Sequence, residues 1–386
     1  SISLILGLLS GWLRLLSGSL FPESLMSKNV LVLWSHSSGY LHACLQELGK
    51  LVDVNVVFFE PGEAAPFSKS QSANCTYQTI WINPSDPASI ERGLFFARQA
   101  NPELCLISGW HHPFYMRFLA NQLSDSCIKV ICFDWQWHFT PRNLLKAAYG
   151  CFYRARFFDA AFVGGERQYQ FAIRVGFKPE RVYQGVFSGD AISIQPKPWA
   201  HRLNRVVFVG RLVASKGCAD LVAAWSWLHA HALLPDDWML DVLGVGPYAN
   251  QFQNLTHCYL HGFVQPTQLV DVMTHGKILC APSLDEPWGL QIHEAACAGL
   301  ALLATDACGS AVHLVRPGFN GLILPGGQPK SLALSLKKLI DLDQPHLNKL
   351  QAYGARSEWL SRQFSPSLWA ATVMEMMADL IHKVRA

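Results

Sequence analysis

Residues 277–305 read KILCAPSLDEPWGLQIHEAACAGLALLAT. Four apolar residues, Ile278 to Ala281, predict a short buried strand that stops at Pro282 and Ser283. A loop then carries Glu286 and Pro287. WGLQIHEAACA has helical spacing and meets a stop signal at Gly299, and LALLA predicts the next strand. Strand, loop, helix and strand in this order build α/β structure. Glu286 and Glu294 have seven residues between them. A helix that starts just after an acidic loop offers backbone N–H groups for a phosphate and a carboxylate for a sugar hydroxyl. The same residues also fit an ordinary βαβ unit, with Glu286 at the positive end of the helix and Glu294 paired with a neighbouring base.

A second stretch, RVVFVGRLVASKG at 205–217, narrows the choice. Val206 to Val209 predict a buried strand, Gly210 ends it, and Arg211 and Lys216 follow on the loop. Two cations beside a glycine turn suit a diphosphate, Arg through a forked contact and Lys as a point charge. LDVLGVGP (240–247, with Gly244 in its turn), LHGFV (260–264) and TDACGSAVHLVRPGFNGLILPGG (305–327) follow in order. Together these segments resemble the donor half of the family-4 glycosyltransferases of the GT-B fold. The resemblance covers residues ~160–385 and is weaker before them, where acceptors differ.

The resemblance implies two Rossmann-like βαβ domains facing a cleft, with a C-terminal helix (366–386) crossing back to the first. It implies a first, acceptor-side domain at 26–190, a linker at 191–204 and a nucleotide-sugar domain at 205–365. It implies that Gly210, Arg211, Lys216, Gly244, Glu286, Gly289, Leu290 and Glu294 bind a nucleoside-diphosphate sugar. Arg211 and Lys216 hold the diphosphate and stabilise the charge of the leaving nucleotide. Glu286 lies against the sugar, and Glu294 takes the ribose hydroxyls. No cofactor or metal is implied, because Arg and Lys supply the positive charge. A first-domain histidine near the reacting sugar is also implied. His111, His112 and His138, each on a loop after a predicted strand, are candidates. His112 is carried with Arg211, Lys216 and Glu286 in the catalytic set. Asp134, at a strand end, and Gly39, on the loop after the first strand, complete the acceptor side.

Other readings of the same pattern stay open. They are a nucleotide-sugar epimerase, a phosphorylase, and a non-catalytic module that binds nucleotide sugar or glycan. The chain departs from the resembled pattern at three places. Only Gly39 remains of a glycine-rich loop, His313 stands where an acid is common, and QGVFSGD (184–190) replaces an Asn-Gly-Val-Asp signature.

The composition agrees with two buried sheets. Of 386 residues, half are apolar and 15% are charged, as strands covered on both faces require. A formal charge of +3 gives no global basic field, so nucleic acid is not an expected partner. The eleven cysteines contain no CxxC pair and predict buried thiols in a reducing, cytoplasmic compartment. DLD at 341–343 has the spacing of a metal–diphosphate motif but follows a helix rather than a strand, so a turn is the better reading.

Two stretches point to a membrane. Residues 1–21 are apolar apart from Ser, Gly and Arg14. They lack the basic start and cleavage site of a signal peptide. The 1–25 segment reads either as membrane-associating or marginally membrane-spanning, or as an extension with no folded role. RNLLKAAYGCFYRAR (142–156) holds four cations and no acid among Leu, Tyr and Phe. It predicts either a peripheral contact with the inner face of an anionic membrane or a solvated helix face. The family resemblance implies a lipid-linked or glycan acceptor and, as the expected task, assembly of surface or extracellular polysaccharide.

Overall fold

The computed structural model describes residues 28–61, 75–110, 112–121, 123–137, 140–189, 194–344 and 348–385. The 1–25 segment, His111 and His138 lie outside the described residues.

The first half of the chain runs β1 (Asn29–Trp34), α1 (Gly39–Leu48), β2 (Asp53–Phe59), β3 (Gln78–Ile82), α2 (Pro87–Gln99), β4 (Leu104–Ser108), α3 (Pro113–Asn121), β5 (Ile128–Phe133), α4 (Pro141–Phe157), β6 (Ala160–Val163), α5 (Glu166–Arg174) and β7 (Val182–Gln184). Its seven strands form one parallel sheet in the order β3-β2-β1-β4-β5-β6-β7. The reversal of strand order between β1 and β4 opens a crevice at the C-terminal strand ends, where this architecture binds ligands.

The second half runs β8 (Arg205–Val209), α6 (Cys218–Ala230), β9 (Met239–Leu243), α7 (Ala249–Gln253), β10 (Cys258–Gly262), α8 (Pro266–His275), β11 (Ile278–Ala281), α9 (Leu290–Cys297), β12 (Ala301–Thr305), α10 (Ala311–Leu314), β13 (Gly321–Leu324), α11 (Pro329–Ile340), α12 (Lys349–Ser361) and α13 (Pro366–Arg385). Six parallel strands lie in the order β10-β9-β8-β11-β12-β13, with the switch between β8 and β11.

The apolar runs become strands because both faces are covered. Val30 to Leu33 and Leu104 to Ile107 are buried throughout, as are Ile278 to Ala281 and Ala301 to Ala304. The edge strand β3 and the three-residue β7 had no sequence reading. QTIWI lies against β2 at the sheet edge, where a half-exposed strand carries a weak signal.

The last helix does cross back. Trp369, Val373, Met376, Met377 and Leu380 of α13 pack among Val30, Leu41, Leu45 and Val56 of the first sheet and α1. Trp369 Nε1 donates to the carbonyl of Val186 at 3.0 Å. The segment before β8 is anchored rather than loose. The buried Arg202 guanidinium donates to the carbonyls of Ala298 and Gly299 at the C-terminal end of α9 and of Gly276 at that of α8, at 2.7–3.0 Å. This satisfies carbonyls that a helix end leaves open. Desolvation lowers the Arg202 pKa to about 10. In the DLD turn, Asp343 forms a largely buried ion pair with Lys277 at 2.6 Å, and Asp341 pairs with Lys337.

Candidate functional site

The two stretches that opened the sequence reading meet at the C-terminal ends of β8 and β11. After β8 the chain turns through Gly210, and Gly244 packs on it so closely that a Cβ there would lie 1.8 Å from the Gly210 carbonyl oxygen. Only a glycine permits that approach. Arg211 is exposed on the loop and makes no ion pair among the described residues. Lys216 ends a short 3-10 turn, and Gly217 (φ +70°) then starts α6 against the Pro282 carbonyl. The N–H groups of Leu284 and Asp285 donate to Ser215 O at 2.8 and 3.2 Å. The cationic loop and the acidic loop are therefore one structural unit.

Their side chains pair directly. Lys216 Nζ contacts Glu286 Oε2, and Gln291 Nε2 donates to the same oxygen at 2.9 Å. Glu286 is 7% exposed, so its charge depends on these two donors for compensation. Gly289, in the left-handed region at φ +95°, caps α9. The helix therefore begins at Leu290, two residues later than the apolar pattern suggested. Its first turn presents N–H groups without intrahelical partners to the site. Glu294 lies one turn into α9 and is half-buried.

The first half of the chain supplies the facing wall. Trp34, Ser35, Tyr40, Ser108, Cys132 and Asp134 line a cavity of about 220 Å³ at the ends of β1, β4 and β5. Burial pushes the Asp134 carboxyl above its ordinary value, and the Glu286 charge adds to the rise while Lys216 opposes it. One amide, Gln168 Nε2, donates to both Asp134 O and Pro287 O, which sets Asp134 beside the Glu286 loop. His112 packs among aromatic side chains. Its ring lies edge-on to Phe59 and Tyr115, with centroids 4.8 and 5.2 Å away. Gly39 begins α1 with open space around it.

Sequence reasoning missed the groups that join the two walls. Trp288, 2% exposed, projects from the acidic loop and stacks on Phe187 at 5.7 Å. Gly164 and Gly165 leave room for Trp288 and His313, since a Cβ on either would collide with them. His313 Nε2 accepts from the N–H of Glu166 at the start of α5, at 3.0 Å, and burial lowers its pKa. The residue in the place of an expected acid is thus an acceptor for a helix N-terminus, which a neutral imidazole can be. Gln136 and Gln168 also reach across from the first half. One signal was available, because Gln168 shares the buried face of α5 with Phe171 and Ala172.

Among the described residues, no group of three or more His, Cys, Asp or Glu side chains is placed to hold a metal ion. No described helix is long and apolar enough to cross a membrane.

Residues 191–357 match the model of the glycosyl transferases group 1 family. A D-inositol 3-phosphate glycosyltransferase of Corynebacterium glutamicum is 28% identical over 183 residues, 44% of this chain and 41% of that protein. An exopolysaccharide phosphotransferase of Streptomyces coelicolor is 26% identical over 186 residues, 46% of this chain and 19% of that protein. The matched region is thus less than half of either relative. Among solved structures, Anabaena HepE in complex with UDP superposes with a TM-score of 0.68 at 17% identity, covering 91% of this chain and 99% of that one. Sucrose-phosphate synthase of Thermosynechococcus elongatus gives 0.69 at 15% identity, covering 92% and 100%. The fold is GT-B.

Proposed function

We propose that this chain, whose residues 191–357 form a group 1 glycosyl transferase domain on a GT-B fold, transfers a sugar from a nucleoside-diphosphate sugar to an acceptor hydroxyl with retention of configuration. The observation that carries this reading is the Lys216–Glu286 pair beside the N-terminus of α9, with Asp134 on the first-half cavity tied to the same loop through Gln168. Anabaena HepE, which shares the fold, has been solved with UDP-glucose, and UDP is therefore the first nucleotide to try.

In this reading Arg211 and Lys216 hold the diphosphate. Loss of the nucleotide breaks the bond between the anomeric carbon and the phosphate oxygen, and negative charge grows on that oxygen. Fixed cations and helix N–H groups stabilise such charge best where water is excluded. When the diphosphate takes Lys216, Glu286 is released to accept from the sugar hydroxyls. Glu294 takes the ribose. Asp134 accepts from the attacking hydroxyl, and its raised affinity for a proton suits that task. The cations replace a metal in this scheme.

The acceptor proposed is a glycan or lipid-linked glycan in surface or extracellular polysaccharide assembly. Helix α4 supports a lipid-associated route. Leu144, Leu145, Tyr149 and Phe152 are 50–72% exposed on it. They fall on one side of the helix, and its sequence holds four cations and no acid. Such a face fits the headgroup region of an anionic bilayer. The helix begins seven residues after Asp134, so docking there brings the cleft mouth towards the lipid surface.

The test is release of nucleoside diphosphate from a panel of nucleotide sugars, with and without lipid-linked and soluble acceptors, and the anomeric configuration of the product by NMR. Acceptor-dependent release with retention is expected. Phosphate-dependent cleavage, free epimer, or an inverted product would overturn the reading. Flotation with anionic vesicles at low salt tests α4: binding lost in Leu145→Ser/Phe152→Ser is expected, and no flotation of the native protein would remove the membrane from the account.

A further inference from the structure

Gln168 is completely buried, yet its position on α5 is one that an apolar residue would fill. A buried amide is costly unless its hydrogen bonds are made. Here Nε2 donates to two main-chain carbonyls, that of Asp134 at 3.2 Å and that of Pro287. The first belongs to the acceptor wall and the second to the residue after Glu286. The side-chain oxygen of Gln168 finds no partner. The amide is therefore spent on these two carbonyls, one from each half of the chain.

Gln136, 7% exposed, repeats the arrangement. Its Nε2 donates to Glu286 O at 3.3 Å and Ala307 O at 3.1 Å, and its oxygen accepts from Arg167 Nη1 at 3.4 Å. The glycine loop makes space for both contacts. Gly309 N donates to Glu286 O at 3.0 Å. A Cβ on Gly309 would stand 2.0 Å from Pro287 O and 2.8 Å from Gln168 Nε2. A leucine at 168 would fill the volume but leave two carbonyls unpaired.

We propose that Gln168, with Gln136 beside it, is a positioning residue that sets Asp134 and Glu286 in register across the closed cleft. Both glutamines act by donating to backbone carbonyls of the acidic and glycine loops. The inference rests on the glycosyl-transfer reading for its kinetic consequence, but the clamp itself is a statement about closure. When Gln168 is lost, the donor half still holds its nucleotide. The acceptor wall is no longer held at the attacking distance, and water competes for the sugar. A misplacement of this kind costs rate rather than donor affinity.

The experiment uses the full chain with Gln168→Leu, Gln168→Glu and the double change Gln136→Leu/Gln168→Leu. Calorimetry with UDP gives donor-half affinity. Product analysis with UDP-glucose gives the ratio of sugar transferred to sugar released into water. Small-angle scattering without ligand gives the separation of the two halves. The expected result is UDP affinity within about twofold of native, a transfer-to-hydrolysis ratio lower by about tenfold or more, and a larger radius of gyration in the double variant. Gln168→Glu, which sets a carboxylate against two carbonyls, should be the most open single variant. A residue that only fills space would lower the melting temperature and leave the ratio and the radius unchanged, which would overturn the proposal. A native protein that binds none of UDP, GDP, ADP and CMP and transfers sugar from none of their nucleotide sugars would sink the glycosyl-transfer reading, while scattering still decides the clamp.

Discussion

Acid should weaken this protein at a defined place. His293 is fully buried in α9, where the two chain crossings between the halves converge. Its Nε2 lies 3.2 Å from the N–H of Gly189 and 3.3 Å from the carbonyl of Ser361, and its ring is edge-on to Phe364. Nδ1 has no partner. One nitrogen cannot both accept from Gly189 and donate to Ser361, so one of those contacts is always imperfect, and either tautomer is neutral. Burial lowers the pKa to about 4, against an ordinary value of 6.5. The unfolded chain then binds a proton that the native state refuses, and stability falls as pH drops between those two values.

The slope tends towards ~1.4 kcal/mol per pH unit, and the loss between about pH 7 and about pH 5 is about 2 kcal/mol. His313, also lowered, acts in the same direction. Asp134, whose pKa is raised above 3.8, acts oppositely, because its native state takes up the proton first. The difference between native protein and His293→Gln isolates the one group, since His313 and Asp134 are present in both. Urea unfolding at several pH values should show a native midpoint that falls more steeply with acid than that of the variant. Equal slopes would refute the argument that a neutral imidazole is locked at the crossing.

Gly217→Ala should lower the melting temperature and abolish nucleotide binding together. It forces a left-handed alanine at a cost of about 1 kcal/mol or more, and its Cβ would lie 1.9 Å from Pro282 O, displacing Lys216. Trp369→Ala should cost about 3–5 kcal/mol in urea unfolding, because it opens a cavity beside Phe162 and leaves Val186 O unpaired. Cys151 is the exposed cysteine among the described residues, while burial raises the thiol pKa of Cys105, Cys127 and Cys132. A thiol reagent should therefore find one fast site, lost in Cys151→Ser.

The parallel sheets were legible because strands buried on both faces write themselves as apolar runs, as in Val206–Val209 and Ile278–Ala281. Gly210, Gly244 and Gly289 were legible because close approach or positive φ leaves few other residues. Strand β3 was not, since an edge strand covered on one side keeps no such run. The contacts between the halves were also hidden. Gln136, Gln168 and His313 act through main-chain carbonyls and N–H groups of distant residues, and a backbone partner leaves no mark in the sequence. For the first-half wall the sequence offered His111, His112, His138 and Asp134 together. His112 packs among aromatic rings, and the group brought near Lys216 and Glu286 is Asp134.

The most direct test of the central claim is calorimetric titration with UDP, GDP, ADP and CMP of the native chain, Lys216→Ala and Asp134→Asn. One nucleotide should bind the native protein. Lys216→Ala should weaken it by about tenfold or more, as loss of a desolvated charge contact implies. Asp134→Asn should bind as native does while losing sugar transfer. Native affinity retained in Lys216→Ala, or no nucleotide bound by a folded native protein, would contradict the placement of the donor between the β8 loop and α9.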